Sequence, residues 1–151
     1  MIKRMVTKEM LVDNPYEKWN QFIDLLAMEE CGDLTELQKV AHLCFWYDIE
    51  VQNGGHLQYF LNRGTKLVKE SVNALKTIGA NSQAAILTKA LNIFTTMELT
   101  KADSVDEYIE MAEEGKFLEL DLEYYAIEPA IDDYLEQYLE KYETEFVLIK
   151  E

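Results

Sequence analysis

The chain has 151 residues, of which 48% are hydrophobic, and a formal net charge of −15. This length and apolar content suffice for one packed core and exclude disorder over the whole chain. No apolar run approaches the roughly 20 residues that cross a bilayer, so we expect no membrane span and a cytoplasmic protein. Cys31 and Cys44 indicate neither a disulfide framework nor a metal site, and we expect reduced, packed thiols.

The first part of the chain has the pattern of helices separated by short breaks. Asn14 and Pro15 fit the cap and first turn of a helix over about residues 15–28. A second helix is predicted over about 35–53, with a capping box that begins at either Asp33 or Thr35. It should end at the glycine pair that follows, with Gly54 in the left-handed conformation that commonly closes a helix.

Helical spacing continues up to Gly115. A short helical turn is predicted over 56–62, a helix over 65–78 that Gly79 ends, and a helix from residue 81 or 82 to about 97. Ser104 and Glu107 form a capping box, which predicts a further helix up to Gly115.

The last part of the chain is less regular. Residues 117–125 alternate apolar and acidic side chains, which is typical of a strand, but without a partner strand we interpret them as an extended approach to a helical turn. Pro129 fits the first turn of a long final helix over about 129–148. We therefore predict an all-α, single-domain bundle of about six to seven helices over residues 1–151, without a substantial sheet. Residues 1–13 should form an N-terminal extension that is free to move.

The sequence lacks the spacing patterns of common catalytic sites. It has no phosphate-binding glycine loop, no HExxH and no Glu-x-x-His pair for a di-iron centre. His42 and His56 are its only histidines, and we expect each to be a helix-surface or capping residue. Interleaved basic and aromatic clusters, which bind nucleic acid, are also missing. We predict no enzymatic activity, no cofactor and no direct binding of nucleic acid.

The segment around the glycine pair is rich in amides and aromatics. Asn53, Gln58 and Asn62 have the chemistry to orient a small ligand, and a pocket that converges on them would favour a ligand-binding domain. Amides beside a sharp turn between helices more often bond to the exposed backbone there. We favour this structural interpretation and keep ligand binding as an alternative.

Nearly all the excess negative charge lies in the last third of the chain. Residues 1–97 hold 11 acidic and 10 basic residues, whereas residues 98–151 hold 18 acidic and 4 basic residues. Like charges one helical turn apart weaken a helix by roughly a few tenths of a kcal/mol per pair, a cost that solubility alone does not require. Regularly spaced carboxylates can also imitate DNA phosphates coarsely. We therefore expect two acidic sets to bind a partner: Asp106, Glu110, Glu113 and Glu114, and Glu128, Asp132, Asp133, Glu136 and Glu140.

The glycine-pair segment resembles the signature of a bacterial family of all-helical domains that contains a dimeric, acidic DNA-mimic protein. The residues that carry the resemblance there are Tyr47, Glu50, Val51, Asn53, Gly54, Gly55, Gln58, Tyr59, Phe60 and Asn62. Weaker likeness at Ala74-Leu75, Ile78-Gly79-Ala80, Ala90-Leu91, Leu120-Asp121 and Tyr124-Tyr125 extends it over roughly residues 15–146. His56 departs from the aromatic or apolar residue expected in the motif. The resemblance implies an all-helical fold, a homodimer and, for the mimic member, a helix-turn-helix regulator bound in place of DNA. It brings no catalytic residues.

Charge and resemblance together predict an acidic module that binds a basic protein, and a DNA mimic on a transcription regulator is the sharpest form of this hypothesis. An immunity-type adaptor that neutralises a basic toxin would use the same electrostatics, so only the identity of the partner distinguishes the two. Nine tyrosines are many for one small core to satisfy, which also favours a homodimer.

Overall fold

The computed structural model describes residues 1–96 and 115–151, and in this part the chain is an α-helical bundle, as predicted. The described residues form seven α-helices: α1 (Lys8–Asp13), α2 (Glu17–Met28), α3 (Glu36–Arg63), α4 (Val68–Thr77), α5 (Asn81–Thr96), α6 (Leu118–Ala126) and α7 (Ile131–Lys141). Short 3₁₀ turns occupy Cys31–Asp33 and Glu143–Glu145. The helix predicted between Ser104 and Gly115 lies outside the described residues.

Local chemistry sets the helix boundaries in the first two thirds of the chain. Thr35 caps α3: its Oγ1 accepts the Gln38 N–H at 3.2 Å, and Gln38 Oε1 accepts the Thr35 N–H at 3.0 Å. α4 ends at Thr77, just before Gly79 with its φ of 96°. Within α3 the helical conformation is interrupted at Gly54 and Gly55, so the predicted break is confirmed.

The extended conformation predicted for residues 117–125 is wrong, because α6 occupies this segment. Phe117 at its N-cap and Leu120 and Tyr124 within it are buried and recur at helical spacing. Leu118 and Leu122 are each 60% exposed, and these two leucines produce the apparent alternation.

The predicted final helix is too long, because α7 ends at Lys141 and the chain turns at Tyr142, whose φ and ψ are −122° and 31°. Strand β2 (Val147–Lys150) follows. Its Val-Leu-Ile sequence has the β-branched composition that favours strands.

The N-terminal segment is not a free extension. Strand β1 (Arg4–Thr7) pairs in parallel with β2, and Val6 is fully buried. The buried side chain of Gln38 joins both ends of the chain, since its Nε2 donates to the Ile2 carbonyl at 2.6 Å and to the Glu145 carbonyl at 2.8 Å. A two-stranded parallel sheet therefore closes the bundle at its termini.

Helix α3 is central to the described bundle, and α2, α4, α6 and α7 pack against it. The fully buried side chains include Phe22, Leu25, Leu26, Tyr47, Leu75, Leu87, Leu135 and Phe146. Truncating one of these leucines to alanine would cost about 2–5 kcal/mol of unfolding free energy. None of the helices in the described ranges combines the length and the apolar character needed to cross a bilayer.

Candidate functional site

The break in α3 is built on two glycines with different conformations. Gly54 has a φ of −157°, an extended value that any residue adopts, so the left-handed conformation predicted for it is wrong. Gly55 has a φ of 74° and a ψ of −176°, a combination nearly restricted to glycine. A Cβ on Gly55 would also clash with Oδ2 of Asp121 on α6. Gly55 therefore provides both the sharp turn and the space in which the Asp121 carboxylate approaches α3.

His56, directly after the break, is fully buried between two partners. Its Nε2 lies 2.8 Å from the Tyr47 hydroxyl and its Nδ1 lies 2.7 Å from Oδ1 of Asp121. The His56 backbone N–H donates to the same carboxylate oxygen at 3.0 Å. With a proton on Nδ1, the ring donates to Asp121 while its Nε2 bonds to the Tyr47 hydroxyl. The surface position predicted for His56 is wrong, and so is that for His42, which is 7% exposed.

A second hydrogen-bonded pair lies beside His56. Tyr124 of α6 donates its hydroxyl to Oδ1 of Asp48 on α3 at 2.5 Å. Burial raises the pKa of Asp48 above its ordinary value of 3.8, and the hydrogen bond from Tyr124 opposes that shift. Burial also raises the pKa of Tyr124, so its hydroxyl keeps the proton that it donates. We call Tyr47, Asp48, His56, Asp121 and Tyr124 the glycine-break cluster.

Residues 47–62 and residues 120–125 are two separate segments of the chain that carry the resemblance. The glycine-break cluster brings these two segments into contact. Other motif residues also have packing roles: Tyr59 and Phe60 are buried, and Asn62 Nδ2 donates to Oε2 of Glu50 at 2.7 Å. The three amides do not converge on one pocket. Asn53 is exposed, the Gln58 side chain lies against Gly54, and of the three Asn62 alone lines the cavity between α3 and α4.

The second acidic set lies along α7 and just before it, and all five of its residues are exposed: Glu128, Asp132, Asp133, Glu136 and Glu140. Asp132, Glu136 and Glu140 form one line on α7, about 6 Å apart along its axis. We call these three residues the acidic row. Asp133 accepts the Ala130 N–H at 3.1 Å and so caps the helix, while Glu128 precedes it. The other predicted set, Asp106, Glu110, Glu113 and Glu114, lies outside the described residues.

The carboxylates of the acidic row are not paired with cations in the part of the chain that the structure describes. None of its carboxylates forms an ion pair with a described residue. Some acids elsewhere are paired, since Arg4 contacts both Asp24 and Glu29 at 2.9 Å. Partial burial, and then the neighbouring charge of Asp133, raise the pKa of Asp132. The row therefore presents negative charge to the solvent at a cost in self-repulsion.

The family model described as DMP19-like protein matches residues 32–142 of the chain. The chain belongs to the DMP19-like family. The matched region includes α3 to α7, and so it contains both the glycine-break cluster and the acidic row, while β1 and β2 lie outside it. The chain matches no curated protein and no solved structure.

In this DMP19-like chain, sequence reasoning missed the roles of Asp48 and Asp121. Asp121 is 65 residues from His56, and no local pattern links the two. One signal was available at His56, a polar ring within a motif where an apolar residue is expected. Because a buried imidazole needs hydrogen-bond partners, that departure indicated a missing carboxylate or hydroxyl partner.

Proposed function

We propose that this protein is an acidic protein-binding module that takes the place of DNA on the DNA-binding surface of a basic partner, and that it catalyses no reaction. The observation that carries the proposal is the acidic row, three exposed carboxylates in line, none of which forms an ion pair with a described residue. The excess of acids in the last third of the chain and the resemblance to a family with a DNA-mimic member support it.

Helix α7, which carries the acidic row, is held rigidly because its opposite side is part of the core. Ile131, Leu135 and Tyr138 are at most 5% exposed. The Tyr138 hydroxyl donates to the Leu37 carbonyl of α3 at 2.6 Å. A fixed helix holds its outward charges at fixed spacing, so a partner does not have to order them on binding.

The spacing of the acidic row is compatible with a phosphate backbone. Phosphates on one DNA strand are separated by about 3.4 Å along the duplex axis. Carboxylates about 6 Å apart along a helix therefore correspond to roughly every second phosphate. A surface of lysines and arginines that binds a duplex would meet a similar pattern of negative charge on α7.

We also propose that the protein forms a homodimer. Tyr47, Tyr59, Tyr124 and Tyr138 are buried within one chain, whereas Tyr16 and Tyr125 are exposed. Further support comes from the resemblance and from the exposed side chains Leu118 and Leu122 of α6, which offer an apolar surface to a second copy. Sedimentation at micromolar concentration should give a dimer that the double variant Leu118→Glu, Leu122→Glu dissociates. A wild-type protein that sediments as a monomer would contradict the proposed dimer.

The proposed function is tested by affinity capture from cells of the source organism at low and then high salt. We expect a basic partner that is retained at low salt, is lost as salt rises, and is displaced by duplex DNA. The triple variant Asp132→Asn, Glu136→Gln, Glu140→Gln should retain much less of it. A matched control, Asp13→Asn, Glu30→Gln, Asp33→Asn, removes three exposed charges elsewhere and should retain it fully. Equal retention by both variants would refute the proposal.

A further inference from the structure

A cavity of about 190 Å³ lies between the two halves of α3 and α4. The buried side chains of His42, Tyr47 and Tyr59 line its interior, and the exposed Asn62 and Arg63 line its mouth. For comparison, an engineered apolar cavity of about 150 Å³ accepts benzene. The cavity is therefore large enough for a molecule with one aromatic ring.

Arg63, at the mouth of this cavity, differs from the other arginine of the chain. Arg4 binds two carboxylates, whereas Arg63 has no carboxylate within 4.0 Å among the described residues, in a chain with 29 acids and 14 bases. Its guanidinium lies 3.7 Å from the ring centroid of Trp46. Stacking fixes the plane of the guanidinium and leaves its N–H groups at the edge to bind a carboxylate with two parallel hydrogen bonds.

His42 provides a second polar group with unused bonding capacity. It lines the cavity, it is 7% exposed, and its Nδ1 has no hydrogen-bond partner among the described residues. Burial lowers the pKa of His42; a hydrogen bond with the Leu26 backbone opposes this shift and the charge of Arg63 adds to it, so the ring is neutral near pH 7. A neutral Nδ1 either donates or accepts, depending on the tautomer. A ligand hydroxyl satisfies both cases, since it can donate and accept.

We propose that this cavity binds a small hydroxylated aromatic acid, with the ring beside Trp46 and the two tyrosines, the hydroxyl at His42 and the carboxylate at Arg63. Asn62, held by Glu50 at 2.7 Å, adds a polar group at the mouth. Arg63, which is exposed, is the positively charged residue of the cavity lining. The carboxylate of the ligand therefore binds at Arg63, and its aromatic ring lies inside the cavity. The site is separate from the acidic row, and the inference does not rest on the proposed function.

Titration with para-hydroxybenzoate, followed by nuclear magnetic resonance of the full chain, tests the proposal. We expect saturable shifts of the Trp46 indole and His42 ring signals. The neutral analogue para-hydroxybenzamide should bind about tenfold more weakly or worse, because it cannot form the charged hydrogen bonds with Arg63. Benzoate, which lacks the hydroxyl, should also bind more weakly than para-hydroxybenzoate.

Two exposed, neighbouring positions give matched variants for the same titration. Arg63→Gln should weaken para-hydroxybenzoate binding about tenfold or more, while Lys66→Gln, which removes a charge that does not line the cavity, should leave it unchanged. Leu67→Trp should weaken binding by filling the mouth, without touching the buried interior. No saturable shift, equal binding of the acid and the amide, or unchanged binding by the Arg63→Gln variant would each overturn the proposal.

Discussion

The glycine-break cluster and the acidic row both contain carboxylates on helices that pack into the same core, but the hydrogen bonding of those carboxylates differs. Asp121 and Asp48 each accept hydrogen bonds from buried or half-buried donors on another part of the chain. Asp132, Glu136 and Glu140 receive no such contact from any described residue and face the solvent. The first arrangement stabilises the fold, whereas the second reduces its stability slightly. Carboxylates of the second kind are available to a partner.

Within these two regions, the largest expected effect on stability is at Gly55. Gly55→Ala should lower the free energy of unfolding by about 4 kcal/mol, because the backbone conformation is strained for any side chain and the new Cβ meets the Asp121 carboxylate. Urea denaturation measures the loss.

Gly64 gives a matched control, with a φ of 68°, a ψ of −165° and nothing within 4 Å of an added Cβ. Gly64→Ala should therefore cost only the backbone strain, about 2 kcal/mol. Equal losses of unfolding free energy at Gly55 and Gly64 would show that the contact with Asp121 does not add to the cost of a side chain at Gly55.

Removal of the carboxylate itself should have the next largest effect. Asp121→Ala leaves the backbone N–H and the Nδ1–H of His56 without an acceptor, and should lower the free energy of unfolding by about 3 kcal/mol. Glu123→Ala, an exposed position on the same helix, should change it by about 0.5 kcal/mol or less. If the two variants unfold at the same urea concentration, the cluster does not stabilise the protein.

Asp48 should make stability depend on pH. Burial raises its pKa in the folded protein above 3.8, so the folded state holds the proton more tightly than the unfolded state. The resulting stabilisation is present below pH 3.8 and is lost as pH rises through the folded pKa. Asp48→Asn removes the titrating carboxyl and with it the loss of stability at higher pH, and the amide oxygen still accepts the hydrogen bond from Tyr124. We therefore expect the stability of the wild type to fall relative to that of the variant over this window. The free energy of unfolding of both proteins is measured from about pH 3.5 to about pH 7, an interval around the ordinary pKa of Asp. If the two curves run parallel, the pKa of Asp48 is not raised in the folded protein.

Neutralising the acidic row should have the smallest effect on stability, and its sign is opposite. The variant Asp132→Asn, Glu136→Gln, Glu140→Gln removes two repulsive pairs and should raise the free energy of unfolding by roughly 0.5 kcal/mol. Thermal unfolding at low salt measures this change. A loss of more than about 1 kcal/mol would mean that these carboxylates support the fold, as those of the glycine-break cluster do.

Sequence reasoning succeeded where the determining contacts are local. The capping box of Thr35 and Gln38, the glycine pair Gly54-Gly55 and Gly79 act within a few residues, and they correctly predicted breaks in the helical conformation near them. It failed where distant contacts decide the structure. Asp121 meets His56 across 65 residues, and Gln38 meets the Glu145 carbonyl across 107 residues. The exposed leucines 118 and 122 show the same limit, because alternation in sequence does not reveal which apolar side chains the fold buries.

The most direct test of the proposed function is the rate at which the captured basic partner associates with the protein, measured by stopped flow over a series of salt concentrations. We expect neutralisation of the acidic row to slow association about tenfold at low salt and to flatten its dependence on salt, because electrostatic steering is lost. The control variant at Asp13, Glu30 and Asp33 has the same net charge and should associate as the wild type does. If both variants slow association equally, only net charge matters. If neither slows it, the acidic row does not contact the partner, and either result contradicts the proposal.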